Sequence, residues 1–353
     1  MTELPSPASG QGKIIVYGSF KGMGDLLNAS PVIAHELNAG NLVKLLLFPS
    51  QALTDFVNLL DFGPNRTNLQ TYTLPVSRRL KDFKTFFGQM SQFQPTLIWI
   101  SPHAPRPASS WKLPLLLWLI KKLYWPNAKL AGASSEHMSF LFDLRIQVDR
   151  DLPLGIREQT AYLSMLAGRN NALRFPLVPF VESIRNNRHE IPKYDLLIHP
   201  GANAKNRTWP VANYVNTINL IPSQFSVAIV GLPEDLKQIQ KLLPNNRDVR
   251  LISGTLEQAI AAIAQARVVL TMDSGNAHFA NFLSVPGVAL FGKSDPSSII
   301  SPKGSVLPIY ERKYPCQPCG KATCSQPEVY CMNSIAPETV ADALLDLLKT
   351  RKI

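Results

Sequence analysis

An acid, a small hydroxyl and a glycine follow one another at the end of an apolar run in the second half of the chain. Asp273, Ser274 and Gly275 come after Val268–Leu270, and His278 lies one helical turn further on. A strand followed by a helix brings such residues to the helix N-terminus, where free N–H groups and the helix dipole favour a phosphate. The pattern also fits an ordinary helix that Asp273 and Ser274 merely cap.

Two other loops of the second half carry charged residues after apolar runs. Lys205 and Arg207 follow the turn at Gly201, and two cations at the end of a strand can hold a diphosphate. A solvated basic loop has the same composition. Glu234 and Asp235 follow the next apolar run and fit either binding of ribose hydroxyls or helix capping.

A glycine-rich turn follows the first apolar run of the chain. Gly22 and Gly24 let the backbone turn tightly and leave room for a ligand, and Asp25 begins a helical pattern. A carboxylate in this place can act as a general base toward a sugar hydroxyl, or as a plain N-cap. The turn lacks the G-x-G-x-x-G spacing of dinucleotide-binding proteins.

All four cysteines lie in one short segment near the C-terminus, with the spacing C-x2-C-x4-C-x6-C. They are Cys316, Cys319, Cys324 and Cys331. Thiols this close together favour metal coordination over disulfides, and a thiolate set suits structural zinc or iron. Free thiols or a redox-labile disulfide are the alternatives. We expect the segment to lie away from the other motifs and to hold no catalytic metal.

The elements that must position these residues alternate between short apolar runs and helical patterns. This alternation predicts an α/β protein with two doubly wound, Rossmann-like domains that face each other across a cleft. The predicted divisions are a flexible tail 1–12, an N-terminal domain 13–180, a linker 181–193, a C-terminal domain 194–335 with a Cys-rich loop 316–331, and a C-terminal helix 336–353.

The composition is that of a globular protein with a basic surface. Hydrophobic residues make up 45% and charged residues 17% of the 353 residues, and the net charge is +11. Such a charge suits nucleotides, nucleic acid or an anionic membrane surface. Because no helix-turn-helix or RNA-binding signature is present, we expect no nucleic-acid partner. No cleavable signal peptide is visible, so we expect a cytoplasmic protein.

One apolar segment, 111–125, contains leucines and tryptophans together with Lys121 and Lys122. It is shorter than the roughly 20 residues that span a bilayer. It fits an amphipathic segment that lies at a membrane interface, or a core helix whose two lysines face water.

Taken together, these motifs resemble glycosyltransferase family 9, the heptosyltransferase-like enzymes with the two-domain B-type glycosyltransferase fold. The resemblance rests on G-M-G-D at 22–25, H-P-G at 199–201, a basic-x-W-P element at 207–210, D-S-G-x-x-H at 273–278 and F-G-x-S-D-P at 291–296.

The resemblance implies roles for the two domains and for individual residues. Domain 13–180 would bind the acceptor, with Asp25 as the catalytic base, and domain 194–335 would bind a nucleotide sugar. Arg207 stands where the family usually has a lysine. The implied substrate-binding residues are Gly22, Gly24, Gly201, Asn203, Lys205, Arg207, Glu234, Gly254, Asp273, Ser274, Gly275, Asn276 and His278.

The implied reaction is an inverting transfer of heptose from ADP-heptose to a hydroxyl of a saccharide or glycolipid acceptor, such as lipopolysaccharide core. Cations and a helix N-terminus would meet the diphosphate without a catalytic metal. The alternatives are a protein O-glycosyltransferase with the same donor, a transferase with another nucleoside diphosphate sugar, and a non-enzymatic sugar-nucleotide scaffold. The family's lipid-anchored acceptors imply peripheral contact with the inner face of the cytoplasmic membrane.

Overall fold

The chain forms two compact units, Met1–Pro179 and Phe180–Ile353. The computed structural model describes residues 12–17, 22–75, 80–101, 112–134, 138–149, 152–153, 156–157, 160–162, 180–189, 192–202, 204–301, 303–319, 321 and 323–350. The predicted tail 1–12 thus lies almost entirely outside the described residues.

The first unit contains a parallel sheet of six strands with the order β3-β2-β1-β4-β5-β6. Its strands are β1 (Lys13–Tyr17), β2 (Leu42–Leu47), β3 (Leu69–Thr73), β4 (Leu97–Ile100), β5 (Lys129–Ala133) and β6 (Leu144–Ile146). Its described helices are α1 (Met23–Asn38), α2 (Gln51–Asn58), α3 (Leu80–Gln89) and α4 (Lys112–Tyr124).

The second unit repeats this topology, with the order β9-β8-β7-β10-β11-β12 and parallel pairing throughout. Its strands are β7 (Tyr194–Ile198), β8 (Val227–Val230), β9 (Val249–Ile252), β10 (Ala266–Met272), β11 (Gly287–Phe291) and β12 (Val306–Tyr310). Its helices are α5 (Glu182–His189), α6 (Val211–Leu220), α7 (Pro233–Gln240), α8 (Leu256–Ala264), α9 (Gly275–Phe282), α10 (Tyr330–Asn333) and α11 (Pro337–Thr350).

The order of the strands fixes where ligands are expected in each unit. The chain starts each sheet at its centre, winds outward to one side, and then returns to wind outward on the other side. The direction changes between β1 and β4 in the first sheet and between β7 and β10 in the second. Ligands of doubly wound sheets bind at the carboxyl ends of these two central strands, where the following loops diverge. The prediction of two doubly wound α/β domains is confirmed.

The segment 181–193 that we predicted to be a linker contains helix α5. Ile184 on this helix and the preceding Phe180 are fully buried, and α5 packs on α8 of the second unit. The Phe180 ring also meets Phe279 edge-on, at a centroid distance of 6.0 Å. The segment is polar and contains Pro192, so its pattern did not indicate a helix, because the apolar contacts of α5 come from residues distant in sequence. The predicted C-terminal helix 336–353 contains α11, which packs on α6.

Helix α4 separates the two lysines that the sequence placed together. Lys121 is buried and its Nζ pairs with Asp143 Oδ2 at 2.5 Å, whereas Lys122 is exposed and lies over the Trp118 ring. The expectation that both lysines face water is therefore wrong for Lys121, because the adjacent loop supplies a carboxylate. In the described part of the chain, no helix is both long and apolar enough to cross a membrane.

Candidate functional site

The predicted donor motifs meet where the winding of the second sheet changes direction, at the carboxyl ends of β7 and β10. β7 and β10 are neighbours, so the H-P-G turn and the D-S-G motif leave the sheet side by side. The His199 N–H donates to the Leu270 carbonyl at 2.8 Å, and the Asp273 N–H donates to the Leu290 carbonyl at 3.0 Å. These bonds hold both loops to the sheet where the topology predicts ligand binding.

Arg207 and Asp273, both predicted to face the donor, form an ion pair with each other. Arg207 Nε lies 3.3 Å from Asp273 Oδ2, and Arg207 Nη1 donates to the Asp273 carbonyl at 3.2 Å. The Nε–Oδ2 contact is close enough for charge pairing but is not aligned as a hydrogen bond. The carboxylate is buried and the guanidinium is half-exposed, so Arg207 can also turn donors toward a ligand. Lys205, two residues earlier, is exposed.

The N-terminus of α9 carries no side-chain cap. Ser274 occupies the N-cap position, but its hydroxyl lies 3.4 Å from the Thr271 hydroxyl and does not accept a bond from the helix. This arrangement disfavours the interpretation of Asp273 and Ser274 as ordinary caps. Helix α9 starts at Gly275, and the N–H groups of Gly275 and Asn276 remain available to an anion. His278 is buried in the first turn of the same helix.

A further cation, Lys293, lies at the carboxyl edge of the second sheet, and we did not predict it as a site residue. It follows β11, the neighbour of β10, within the F-G-x-S-D-P motif, and it is 6% exposed. Its Nζ donates to the Lys321 carbonyl at 2.7 Å, and Asn206 Nδ2 donates to the same carbonyl at 2.9 Å. The only sequence signal was a lysine two residues after an apolar run. Its importance depends on β11 lying beside β10.

These two bonds correct the expectation that the Cys-rich loop lies away from the other motifs. Besides the Lys321 carbonyl, the loop supplies the Cys319 N–H, which donates to the Lys293 carbonyl, and Gln317 Nε2, which donates to the Gly292 carbonyl. A side chain at Gly292 would collide with Met332 Sδ at 2.5 Å, so close packing requires glycine there. The loop therefore braces the loops that follow β7 and β11.

The four cysteines are free thiols with graded burial. Cys316 is exposed, Cys319 and Cys324 are half-buried, and Cys331 is buried in the second unit's core. Burial raises the pKa of Cys331, and the three other thiols raise it further. Within the described ranges, however, no three His, Cys, Asp or Glu side chains are grouped closely enough to hold a metal ion.

His199, which follows β7, lies close to Gly201 and to the Asp235 carboxylate. A Cβ on Gly201 would lie 3.2 Å from His199 Cε1 and 3.5 Å from Asp235 Oδ2. Burial lowers the pKa of His199 to about 4, so the imidazole is neutral at pH 7, and its Nδ1 has no partner within the described part of the chain. Tyr214 donates to the Pro200 carbonyl at 3.1 Å, and burial raises its pKa.

The remaining predicted donor residues lie on the β8 and β9 side of the sheet. Glu234 and Asp235 are in the first turn of α7; Glu234 is exposed, whereas Asp235 faces the H-P-G turn. Gly254 precedes a capping box in which Thr255 and Gln258 bond reciprocally, and a Cβ there would meet Gln258 Oε1 at 2.1 Å. Asn203 lies outside the described residues.

Asp25 lies in the first unit, at the carboxyl end of β1. Gly22 is the N-cap of α1, so Asp25 is the third residue of the helix and is not its N-cap. The carboxylate is half-buried, with Oδ2 3.9 Å from the position of a Cβ on Gly22. It makes no hydrogen bond or ion pair with any described side chain. Gly24 is buried behind it.

The fold resembles solved glycosyltransferases over almost its whole length. ADP-heptose lipopolysaccharide heptosyltransferase II of E. coli has 18% identity and a TM-score of 0.66, covering 96% of this chain and 99% of that one. E. coli heptosyltransferase WaaC with ADP-2-deoxy-2-fluoro heptose has 13% identity and a TM-score of 0.62, covering 96% and 99%. The iron-containing dodecameric glycosyltransferase TibC from enterotoxigenic E. coli has 14% identity and a TM-score of 0.55, covering 97% and 82%.

The two Rossmann-like units have the B-type glycosyltransferase fold. No protein of curated function matches the sequence. Residues 128–330, more than half of the chain, match glycosyltransferase family 9 (heptosyltransferase), and the chain belongs to this family. Together, the fold and the family define a glycosyltransferase that uses a nucleotide sugar.

Proposed function

We propose that this enzyme transfers heptose from ADP-heptose to a hydroxyl of a saccharide acceptor, with inversion at the anomeric carbon. The observation that carries the proposal is the edge at β7, β10 and β11. There Arg207 pairs with Asp273 just before the uncapped N-terminus of α9, while Lys205 and Lys293 lie on the loops that follow β7 and β11. The family and the ADP-heptose-related structures it resembles favour this donor over other nucleotide sugars.

The leaving ADP gains negative charge as the glycosidic bond breaks. N–H groups of α9 and the side chains of Arg207 and Lys205 stabilise that charge. The helix N–H groups and Arg207 are already oriented before the reaction begins. Asp273 holds the Arg207 guanidinium through its carboxylate, near Nε, and through its backbone carbonyl, which accepts a bond from Nη1. Asp235, beside Gly201, is better placed than exposed Glu234 to bind a hydroxyl of the donor.

Asp25 acts as the general base in this proposal. Its carboxylate takes the proton from the acceptor hydroxyl, whose oxygen attacks the anomeric carbon while the bond to the ADP oxygen breaks. The lack of a described partner for Asp25 supports this role, since a carboxylate committed to a structural ion pair is a weaker base. A donor-binding scaffold would not need this carboxylate.

A donor screen tests the proposal. ADP-heptose and ADP-, UDP- and GDP-hexoses are titrated against the protein by thermal shift, and turnover is then measured with a heptose-deficient lipopolysaccharide core. We expect the largest shift with ADP-heptose and a product of inverted configuration by NMR. A larger increase in melting temperature with UDP- or GDP-hexoses would contradict the assignment of ADP-heptose as the donor. Turnover on a protein serine in place of the saccharide would reject the acceptor.

We also propose that the four thiols hold a structural zinc or iron ion. The described structure does not group three of these thiols closely enough to hold an ion, so the proposal is supported by the spacing of the four cysteines and by the soft donor set they supply. Bound metal would tie the Cys-rich loop, and through Lys321 it would steady Asn206 and Lys293. Elemental analysis of protein purified without chelators should find one metal ion per chain, and none after Cys316→Ser with Cys319→Ser. A metal-free, fully active wild type would reject this assignment.

For the acceptor side we propose peripheral membrane contact through α4. Leu119 and Leu123 on this helix are 43% and 74% exposed, with Lys122 beside them. Apolar side chains next to a cation suit an anionic bilayer surface. Leu119→Gln with Leu123→Gln should reduce sedimentation with phosphatidylglycerol vesicles. The equally exposed Leu220 and Leu232 of the second unit provide the matched control pair. Equal loss in both double variants would contradict the contact.

A further inference from the structure

A cavity with both polar and apolar lining lies at the amino-terminal edge of the first sheet, at the opposite end of β1 from Asp25. Its volume is about 220 Å³, and it is lined by Lys13, Leu42, Val43, Lys44, Asn68, Gln70, Gln92 and Phe93. β1 contains five residues, so about 16 Å of strand separates the cavity from the glycine-rich turn. None of the lining residues takes part in the transfer reaction proposed above.

Lys44 is an unusual residue for its position. Leu42, Lys44 and Leu46 share one face of β2, and Leu46 is buried in the first unit's hydrophobic cluster. Strands of a parallel sheet are ordinarily apolar on both faces. Lys44 is nevertheless only 9% exposed, and no described carboxylate lies within ion-pair distance of it. The stem of Lys44 is thus buried while its ammonium reaches the cavity, where no described group offers a counter-charge, so an anion there would stabilise it.

Among the described residues, two aromatic rings lie against this cation. Lys44 Nζ lies 4.3 Å from the centroid of Phe93 and 4.8 Å from that of Tyr72. A second ammonium, Lys13 Nζ, lies 6.0 Å from the same Phe93 ring. Ring faces attract cations, but they do not cancel the repulsion between two positive charges over one ring. The two lysines therefore create a positive site that fits a doubly charged anion.

We propose that the cavity binds a phosphate monoester of a small polyhydroxylated molecule. The two ammonium groups match the charge of the phosphate dianion. The amides of Asn68, Gln70 and Gln92 can donate and accept hydrogen bonds, as sugar hydroxyls require. The cavity is smaller than typical ligand pockets, so it suits a phosphate with a short polyol and not a nucleotide.

Calorimetric titration with inorganic phosphate and with glucose 6-phosphate tests the site. The full chain is saturated with ADP beforehand, so that the donor edge does not contribute, and ionic strength is held constant with sodium chloride. We expect both ligands to bind, glucose 6-phosphate more tightly, and glucose not at all. Lys44→Met should weaken binding at least tenfold, because it removes the buried charge while keeping the apolar contacts.

Matched variants separate this site from general effects of charge. Lys129 starts β5 at the same edge of the sheet but does not line the cavity, so Lys129→Met should leave the affinity unchanged. Lys13→Met, at the more exposed position, should weaken binding about threefold and serves if Lys44→Met does not fold. Absence of binding to the ADP-saturated wild type, or equal affinity of the lysine variants and wild type, would overturn the proposal. Neither result depends on the identity of the sugar donor.

Discussion

The two sheets share one strand order, yet the charged residues at their carboxyl edges are arranged in opposite ways. At the second edge the charges are fixed: Arg207 pairs with Asp273, and Lys293 is bound to the Lys321 carbonyl. At the first edge the half-buried carboxylate of Asp25 has no described partner. The comparison suggests that topology sets where ligands are expected, while the pairing of side chains distinguishes the proposed anion site of the second unit from the proposed base of the first.

The largest expected effect comes from the unpaired side of this comparison. Asp25→Asn should lower kcat by about a thousandfold, because it removes the proton acceptor, and should leave ADP affinity unchanged. Steady-state kinetics and calorimetry with ADP measure the two quantities. Asp55→Asn, at an exposed carboxylate on α2, is the control and should behave as wild type. Retained turnover in Asp25→Asn would remove the contrast between the two edges.

Lowering the pH tests whether His199, at the carboxyl edge of the second sheet, is shielded from water. The pKa of His199 is about 4 when folded and 6.5 ordinarily, so between these values the unfolded chain takes up a proton that the folded chain does not. The stabilisation is complete above pH 6.5 and is lost as the pH falls toward 4, by about 3 kcal/mol in all. Urea unfolding at pH 7.5, 6 and 5 should show a steeper loss for wild type than for His199→Gln. Parallel curves would mean that the imidazole is hydrated.

The paired charges themselves provide the next test. Arg207→Met leaves the buried Asp273 carboxylate unpaired, and we expect it to cost about 2 kcal/mol of stability, between the values for surface and buried pairs. We also expect ADP to bind ten- to fiftyfold more weakly. Adding Asp273→Asn should restore the melting temperature but not the affinity for ADP. If the double variant regained full affinity, the ion pair would be structural only.

The smallest effect concerns the residue that joins the Cys-rich loop to this edge. Lys293→Met should weaken ADP binding about fivefold and make segment 316–331 more sensitive to protease, because a charged hydrogen bond to Lys321 is lost. Lys303→Met, at an exposed lysine of the same unit, should change neither property. Unchanged proteolysis in Lys293→Met would show that the loop does not depend on this bond.

Local patterns predicted the elements well. The apolar run 42–48 forms the strand Leu42–Leu47, and the helical pattern 255–266 forms the helix Leu256–Ala264 with Thr255 as its N-cap. Apolar periodicity and capping residues act over a few neighbouring positions, so they can be interpreted without knowledge of the fold. The same reasoning missed α5, whose burial depends on Phe279 and α8.

The sequence by itself determined the two doubly wound domains and the motifs at Gly22–Asp25, His199–Gly201 and Asp273–His278. Only the tertiary structure decided which charges meet. It paired Arg207 with Asp273, buried Lys121 against Asp143, and placed the Cys-rich loop beside Lys293. The physical reason is that these partners lie far apart along the chain and become neighbours through strand order, which no local pattern of residue types encodes.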